Sequence, residues 1–175
     1  MASFGVRVLR SALLDAETYE EVEADEGAGG QAFVVVALSG AAVGVGGITN
    51  SGPEGILWQA GVAVIGWWVW AYTTYLIGTR LLPTEHTEAD PGQLRRTIGF
   101  SAAPGILRFA MIVPVMAFPA FVVGTLWELL AMVVAVRQAL DYTSTLRAIA
   151  VCAIGFPLYA LALIASVLFL GPWPV

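Results

Sequence analysis

Five apolar runs separated by polar or proline-bearing breaks constrain this chain more than any motif in it: residues 31–49, 56–82, 98–116, 120–136 and 148–170. A bilayer's hydrocarbon core of about 30 Å takes roughly 20 apolar helical residues to cross, and backbone inside it must satisfy its own hydrogen bonds, as a helix does. With 58% of 175 residues hydrophobic and 12% charged, the chain is too apolar for one soluble domain. The expected fold is an all-α integral membrane protein. A five-helix transmembrane bundle over residues 31–175 follows a short cytoplasmic segment, residues 1–30. The second run is long enough to tilt or to project past the membrane. The fourth is short and parted from the third only by residues 117–119, so the two read as a tight hairpin; a single kinked or re-entrant segment over 104–136 is the alternative.

Orientation follows from the arginines, since the chain has no lysine. With five spans and the N-terminus cytoplasmic, Arg7, Arg10, Arg80, Arg95, Arg96, Arg137 and Arg147 all fall on cytoplasmic segments, where short basic loops are retained. Trp58 and Trp173 then lie near the outer face, where indoles favour the headgroup region. No apolar run of signal-peptide length precedes the acidic stretch, so the first span is expected to act as its own insertion signal. The stretch "SFGVRVLRSALLDAETYEEVEADEG" places Leu9, Leu13 and Ala16 on one side of a short amphipathic helix. Its acidic second half repels anionic lipid, which favours docking on the protein's own arginine-bearing loops over membrane binding; a solvated tail is the alternative. The net charge of −5 comes mainly from this segment and gives no sign of nucleic-acid binding.

Catalytic chemistry finds little to work with. No Ser/His/Asp or Cys/His set can be assembled, and "GVGG" at 44–47 lies inside a span without the Lys-Ser/Thr that phosphate binding requires. His86, with Glu85, Glu88 and Asp90 nearby, sits in a Pro- and Gly-bounded loop that promises no rigid ligand set. Cys152, the single cysteine, reads as a small core residue. No catalytic residue, cofactor or metal is expected.

Packing and contact signals are stronger. Gly40 and Gly44, with Gly47 beyond, clear a groove in the first span for a neighbouring helix, within this bundle before another subunit. In "GWWVWAYTTYLIG", Trp67, Trp68, Trp70, Tyr72 and Tyr75 put aromatic bulk at mid-depth. That bulk either packs on the glycine-rich helix or forms a lipid or partner contact.

Glu128 is the anomaly, because an ionised carboxylate inside an apolar helix is costly unless paired or wet. A hairpin turning at Phe118 puts Arg108 ten positions before the turn and Glu128 ten after it. At about 1.5 Å per residue both lie roughly 15 Å deep. An inward-facing Arg108–Glu128 ion pair is expected, in preference to charges lining a water-filled path.

Four features together resemble the Yip-domain family of Ypt/Rab-interacting multi-spanning membrane proteins, in particular its bacterial branch. They are "ALLDAETYEEVEADEGAGGQAFVVVAL", "LRRTIGFSAAPGILRFAMIVPV", "LWELLAMVVAVRQALDYTSTLRAIAV" and the five-span layout with the N-terminus inside. The most telling residues are Gly99 and Pro104 before Arg108, and Arg137-Gln138-Ala139-Leu140 followed by Ser144 and Arg147-Ala148. The resemblance implies a helical bundle without known enzymatic activity, multi-pass in the bacterial cytoplasmic (inner) membrane. Eukaryotic relatives contact prenylated Rab GTPases partly through a longer N-terminal region with aromatic motifs; this chain lacks those motifs, so a GTPase partner is not carried over. The expected function is non-enzymatic membrane organisation or scaffolding, through binding membrane lipids, another membrane protein or a second copy. The alternatives are an accessory subunit of a larger membrane complex and a small transporter using intramembrane Arg108 and Glu128. Against a transporter, Pro104, Pro114 and Pro119 cluster without a counterpart elsewhere.

Overall fold

The computed structural model describes residues 2–48, 52–85 and 87–170, the side chains at 158, 159, 162, 163 and 165–170 excepted. His86, Trp173 and the end of the first apolar run at Thr49 lie outside the described residues. Among the described residues there are seven α-helices and no strand: α1 (Phe4–Ala12), α2 (Ala16–Ala24), α3 (Ala28–Gly46), α4 (Glu54–Leu76), α5 (Pro91–Ser101), α6 (Ala117–Ala139) and α7 (Thr145–Leu170). A π-helical turn, Ile77–Leu81, extends α4. Among the described residues three segments are long and apolar enough to cross a membrane: Ala28–Gly46, Glu54–Leu81 and Pro114–Ala139. At 26 residues, α7 is about 39 Å long, with Pro157 inside it.

The third apolar run departs from the expected single helix over 98–116. Its α-helix starts earlier, at Pro91, where Asp90 and Gln93 form a capping box and the missing N–H of Pro91 is not needed. It stops at Ser101 and continues as 3₁₀-helix over Ala103–Ile112 and Pro114–Met116. Pro104 explains the change. Its ring disfavours α backbone at Ala103 and takes an N–H out of the ladder, and Gly105 adds no propensity to restore it. Ten residues is long for a 3₁₀ segment, a form that stretches the chain to about 2.0 Å per residue.

Contacts at glycines fix the directions of the helices. A Cβ at Gly40 would lie 2.7 Å from Gln59 O, and one at Gly44 only 2.5 Å from Ile56 Cα, so α3 and α4 run antiparallel backbone against backbone. Gly46 meets the next neighbour at Met111, and Gly47 ends α3, its N–H bonded to Val43 O. Gly99 against Ala32 and Gly105 against Ser39 set α5 and the 3₁₀ segment parallel to α3. Gly124 against Arg108, and Ser101 Oγ against Met132 Sδ, set α6 antiparallel to that arm, making the 104–136 region two arms rather than one kinked segment. In α7, Gly155 meets Trp70.

The N-terminal segment forms two helices instead of one, broken at Leu14, whose φ of 64° lies in the left-handed region. It also docks by the face opposite to the one its pattern suggests. Leu9 and Leu13 are exposed, whereas Arg7 is buried, bonded to Glu21 Oε1, Asp25 Oδ2 (2.7 Å) and Gln31 Oε1. The acidic side chains find their arginines inside the segment itself, since Arg10 also pairs with Asp15. Arg96 of α5 holds the backbone of α2 instead, donating to Val22 O and Glu23 O. Tyr19, fully buried, donates its hydroxyl to Ser11 O.

Candidate functional site

Arg108 stands on the 3₁₀ segment and Glu128 at the middle of α6, and the guanidinium Nη2 contacts the carboxylate Oε2. The turn falls at residues 113–116 rather than at Phe118. Arg108 is thus six residues below Pro114, about 12 Å at the 3₁₀ rise, and Glu128 is eleven below Ala117, about 16 Å at the α rise. Helical side chains lean toward their own N-terminus. Arg108 therefore reaches away from the turn and Glu128 toward it, which closes the difference. Two glycines make room. A Cβ at Gly105 would meet Ser39 Oγ, Arg108 Nη2 and Glu128 Oε2, and one at Gly124 would meet Arg108 Cγ at 3.0 Å. Each glycine stands about one turn before a charge. Gly-x-x-Arg and Gly-x-x-x-Glu are the sequence signals that mark such a cleared space.

The pair forms part of the wall of a cavity of about 440 Å³, lined by α3, α4, α5, the 3₁₀ segment, α6 and α7. Trp67, Trp70, Phe121, Met132 and Phe156 supply apolar surface, and Ser39, Gln59 and Thr125 add uncharged polar groups. A volume of a few hundred cubic ångströms with mostly apolar walls and a few placed polar groups is the usual form of a small-ligand site.

The structure divides the aromatic cluster of α4 by helical phase. Trp67 and Trp70, three apart, face inward with Ala71 and Thr74, while Trp68 and Tyr72 face outward and exposed. Trp67 Nε1 donates to Arg95 O at 2.8 Å and Trp70 Nε1 to Met132 Sδ. The Trp67 ring packs on Gly99 of α5 and the Trp70 ring on Gly155 of α7. Outside, the Arg95 guanidinium lies 4.3 Å over the Trp68 ring, and Tyr72 and Tyr75 adjoin with ring centroids 6.3 Å apart.

A second charged cluster gathers where α2, α5 and the α6–α7 turn meet. Burial, reinforced by Asp141, pushes the Glu23 carboxyl up to about 7, with Glu20 and Asp90 adding to the rise and Arg96 opposing it. Glu21 is held below the usual carboxylate range, first by the backbone N–H of Ala2 and then by Arg7, and Asp25 is lowered chiefly by its bond from Arg7. The Tyr142 hydroxyl ties the α6–α7 turn to the end of α4, donating to Leu82 O at 2.7 Å. Among the described residues no group of three or more His, Cys, Asp or Glu is arranged to hold a metal ion.

A chain whose described residues form helices, three of them apolar and of membrane length, with charges paired in the bundle interior and glycines at close helix contacts, is a membrane protein. It matches the Yip1 domain over residues 10–167, and belongs to that family. Comparisons with curated proteins and with solved structures returned no match. The Yip1 family is not a known enzyme family.

Proposed function

We propose that this protein is a five-span protein of the bacterial cytoplasmic membrane that acts without catalysis, by holding a membrane lipid in the cavity beside Arg108 and Glu128. The observation that carries the reading is the cavity itself, about 440 Å³ with a mainly apolar wall inside a bundle of membrane-length helices. The N-terminus and the loops bearing Arg80, Arg95, Arg137 and Arg147 lie on the cytoplasmic side, in keeping with basic-loop retention. The exposed face of Trp68 and Tyr72 is the surface for a second copy or another membrane protein. A transporter reading has one observation in its favour, the helix discontinuity at the paired charges. It differs in requiring the charges to separate into water during turnover.

The test is lipid retention. Protein extracted in mild detergent should carry a tightly held lipid visible by native mass spectrometry. Thr125→Trp, which fills the cavity from α6, should release it while the helical circular dichroism at about 20 °C stays unchanged. Equal retention in the two proteins, or none in the wild type, overturns the reading. Cysteines placed at Glu54 and at Thr87 in a Cys152→Ala background should label from opposite faces with an impermeant reagent, and labelling from one face contradicts the five-span layout.

A further inference from the structure

We infer that the cavity selects a neutral long-chain lipid carrying a hydroxyl group, with the chain along the aromatic and aliphatic wall and the hydroxyl donating to the Glu128 carboxylate. This rests on the lipid-binding reading above. Charge balance is the first reason. Arg108 and Glu128 are in contact, and among the described residues no other Arg, Lys, Asp or Glu lines the cavity. An anionic head therefore meets no net positive charge. An anion at the guanidinium shares it with Glu128, which places two negative charges beside one positive in apolar surroundings and is strongly unfavourable. Depth is the second reason. The pair lies on the middle of α6, and a phosphate head drawn to that level loses its water. A hydroxyl loses far less.

The choice among neutral heads follows from the two side chains. The Glu128 side chain is the more exposed of the pair, 23% against 11% for Arg108. An ionised carboxylate only accepts hydrogen bonds, so the complementary head must donate. A hydroxyl donates. An ester or ketone oxygen does not, and an alkane offers nothing. Ser39 and Thr125 add hydroxyl groups to the same cavity, and Trp67, Trp70 and Met132 stand along the wall where the chain would lie.

Hexadecan-1-ol, hexadecanoate at pH 8 and hexadecane separate these cases when each is added at the same level to nanodiscs holding the full chain. Melting temperature and competition against tritiated hexadecanol are the readouts. The alcohol should bind about tenfold or more tightly than either of the others, the effect of one hydrogen bond to a charged group. Arg108→Leu/Glu128→Leu should bind alcohol and alkane alike. Preference for hexadecanoate, or no preference between alcohol and alkane in the wild type, overturns the assignment while leaving lipid binding intact. Failure of all three probes, together with unchanged lipid retention in Thr125→Trp, removes the lipid-binding reading as well. The wild-type comparison decides even if the double variant does not fold.

Discussion

Arg7 and Arg108 are both largely buried, yet the two regions that hold them solve the problem of a buried charge in opposite ways. Arg7 is bonded to three side chains, Glu21 of α2, Asp25 just after it and Gln31 of α3, and its acidic partners Glu21 and Asp25 keep part of their surface in water. Charge there is spread over a network with solvent at its rim. Arg108 meets the Glu128 carboxylate deep in the bundle, with glycines and apolar side chains around it and a cavity beside it. The first arrangement tolerates the loss of a member, because its partners can hydrate. The second tolerates none, because a partner left behind stays in low dielectric. Stability is therefore distributed at the α1–α2 end and concentrated at mid-bundle, which is also where the cavity lies.

Breaking one partner in each region should expose the contrast. Arg108→Leu, which strands Glu128, is expected to destabilise the protein by about 3–5 kcal/mol, measured as unfolding free energy in mixed micelles. Arg7→Met should have a smaller effect, about 2 kcal/mol, since Glu21 and Asp25 turn to water. Equal losses at the two sites would erase the distinction. The weakest handle is pH. Glu23 has a folded-state pKa near 7, above its ordinary value, so its protonated form favours the docked α2 and that contribution declines as pH rises from about 4.5 through 7. Asp141, Glu20 and Asp90 repel its ionised form and Arg96 attracts it, while Glu21 and Asp25, lowered, stay ionised throughout the window. Amide exchange in α2, corrected for intrinsic rates, should be modestly faster at pH 8 than at pH 5.5, and Glu23→Gln should flatten the difference. No such difference in the wild type would mean that Glu23 ionises without loosening the contact.

Much of this architecture is legible in residue spacing, and what is not has physical causes. Long apolar runs mark α3, α4 and α6 to within a few residues, because hydrocarbon-length helices must be apolar almost throughout. Gly40 and Gly44 are legible for the same reason, since only very small residues allow the backbones of α3 and α4 to approach so closely. The 3₁₀ arm is harder to read. Pro104 signals a boundary but does not say whether the chain turns or merely stretches, and here it stretches. Counting to Phe118 at the α-helical rise overstates the residues in the first arm and understates the rise of each, and the two errors offset for Arg108. The docking face of α1 is illegible from hydrophobic periodicity, because it is polar: Arg7 turns inward and Leu9 and Leu13 outward. Arg96 is hidden for a related reason, its partners being backbone carbonyls of α2 that carry no sequence signature.

The concentration of stability at mid-bundle is tested most directly by a double-mutant cycle on Arg108 and Glu128, read as unfolding free energy of Arg108→Leu, Glu128→Leu and the double variant. Each single change strands a charge beside the cavity, and the double change strands none, so the double variant should be more stable than either single one. Recovery of part of the loss, with a coupling of about 1–3 kcal/mol, is the predicted result for contacting residues. Strictly additive losses would contradict it, and would mean that the two charges are stabilised separately rather than by each other.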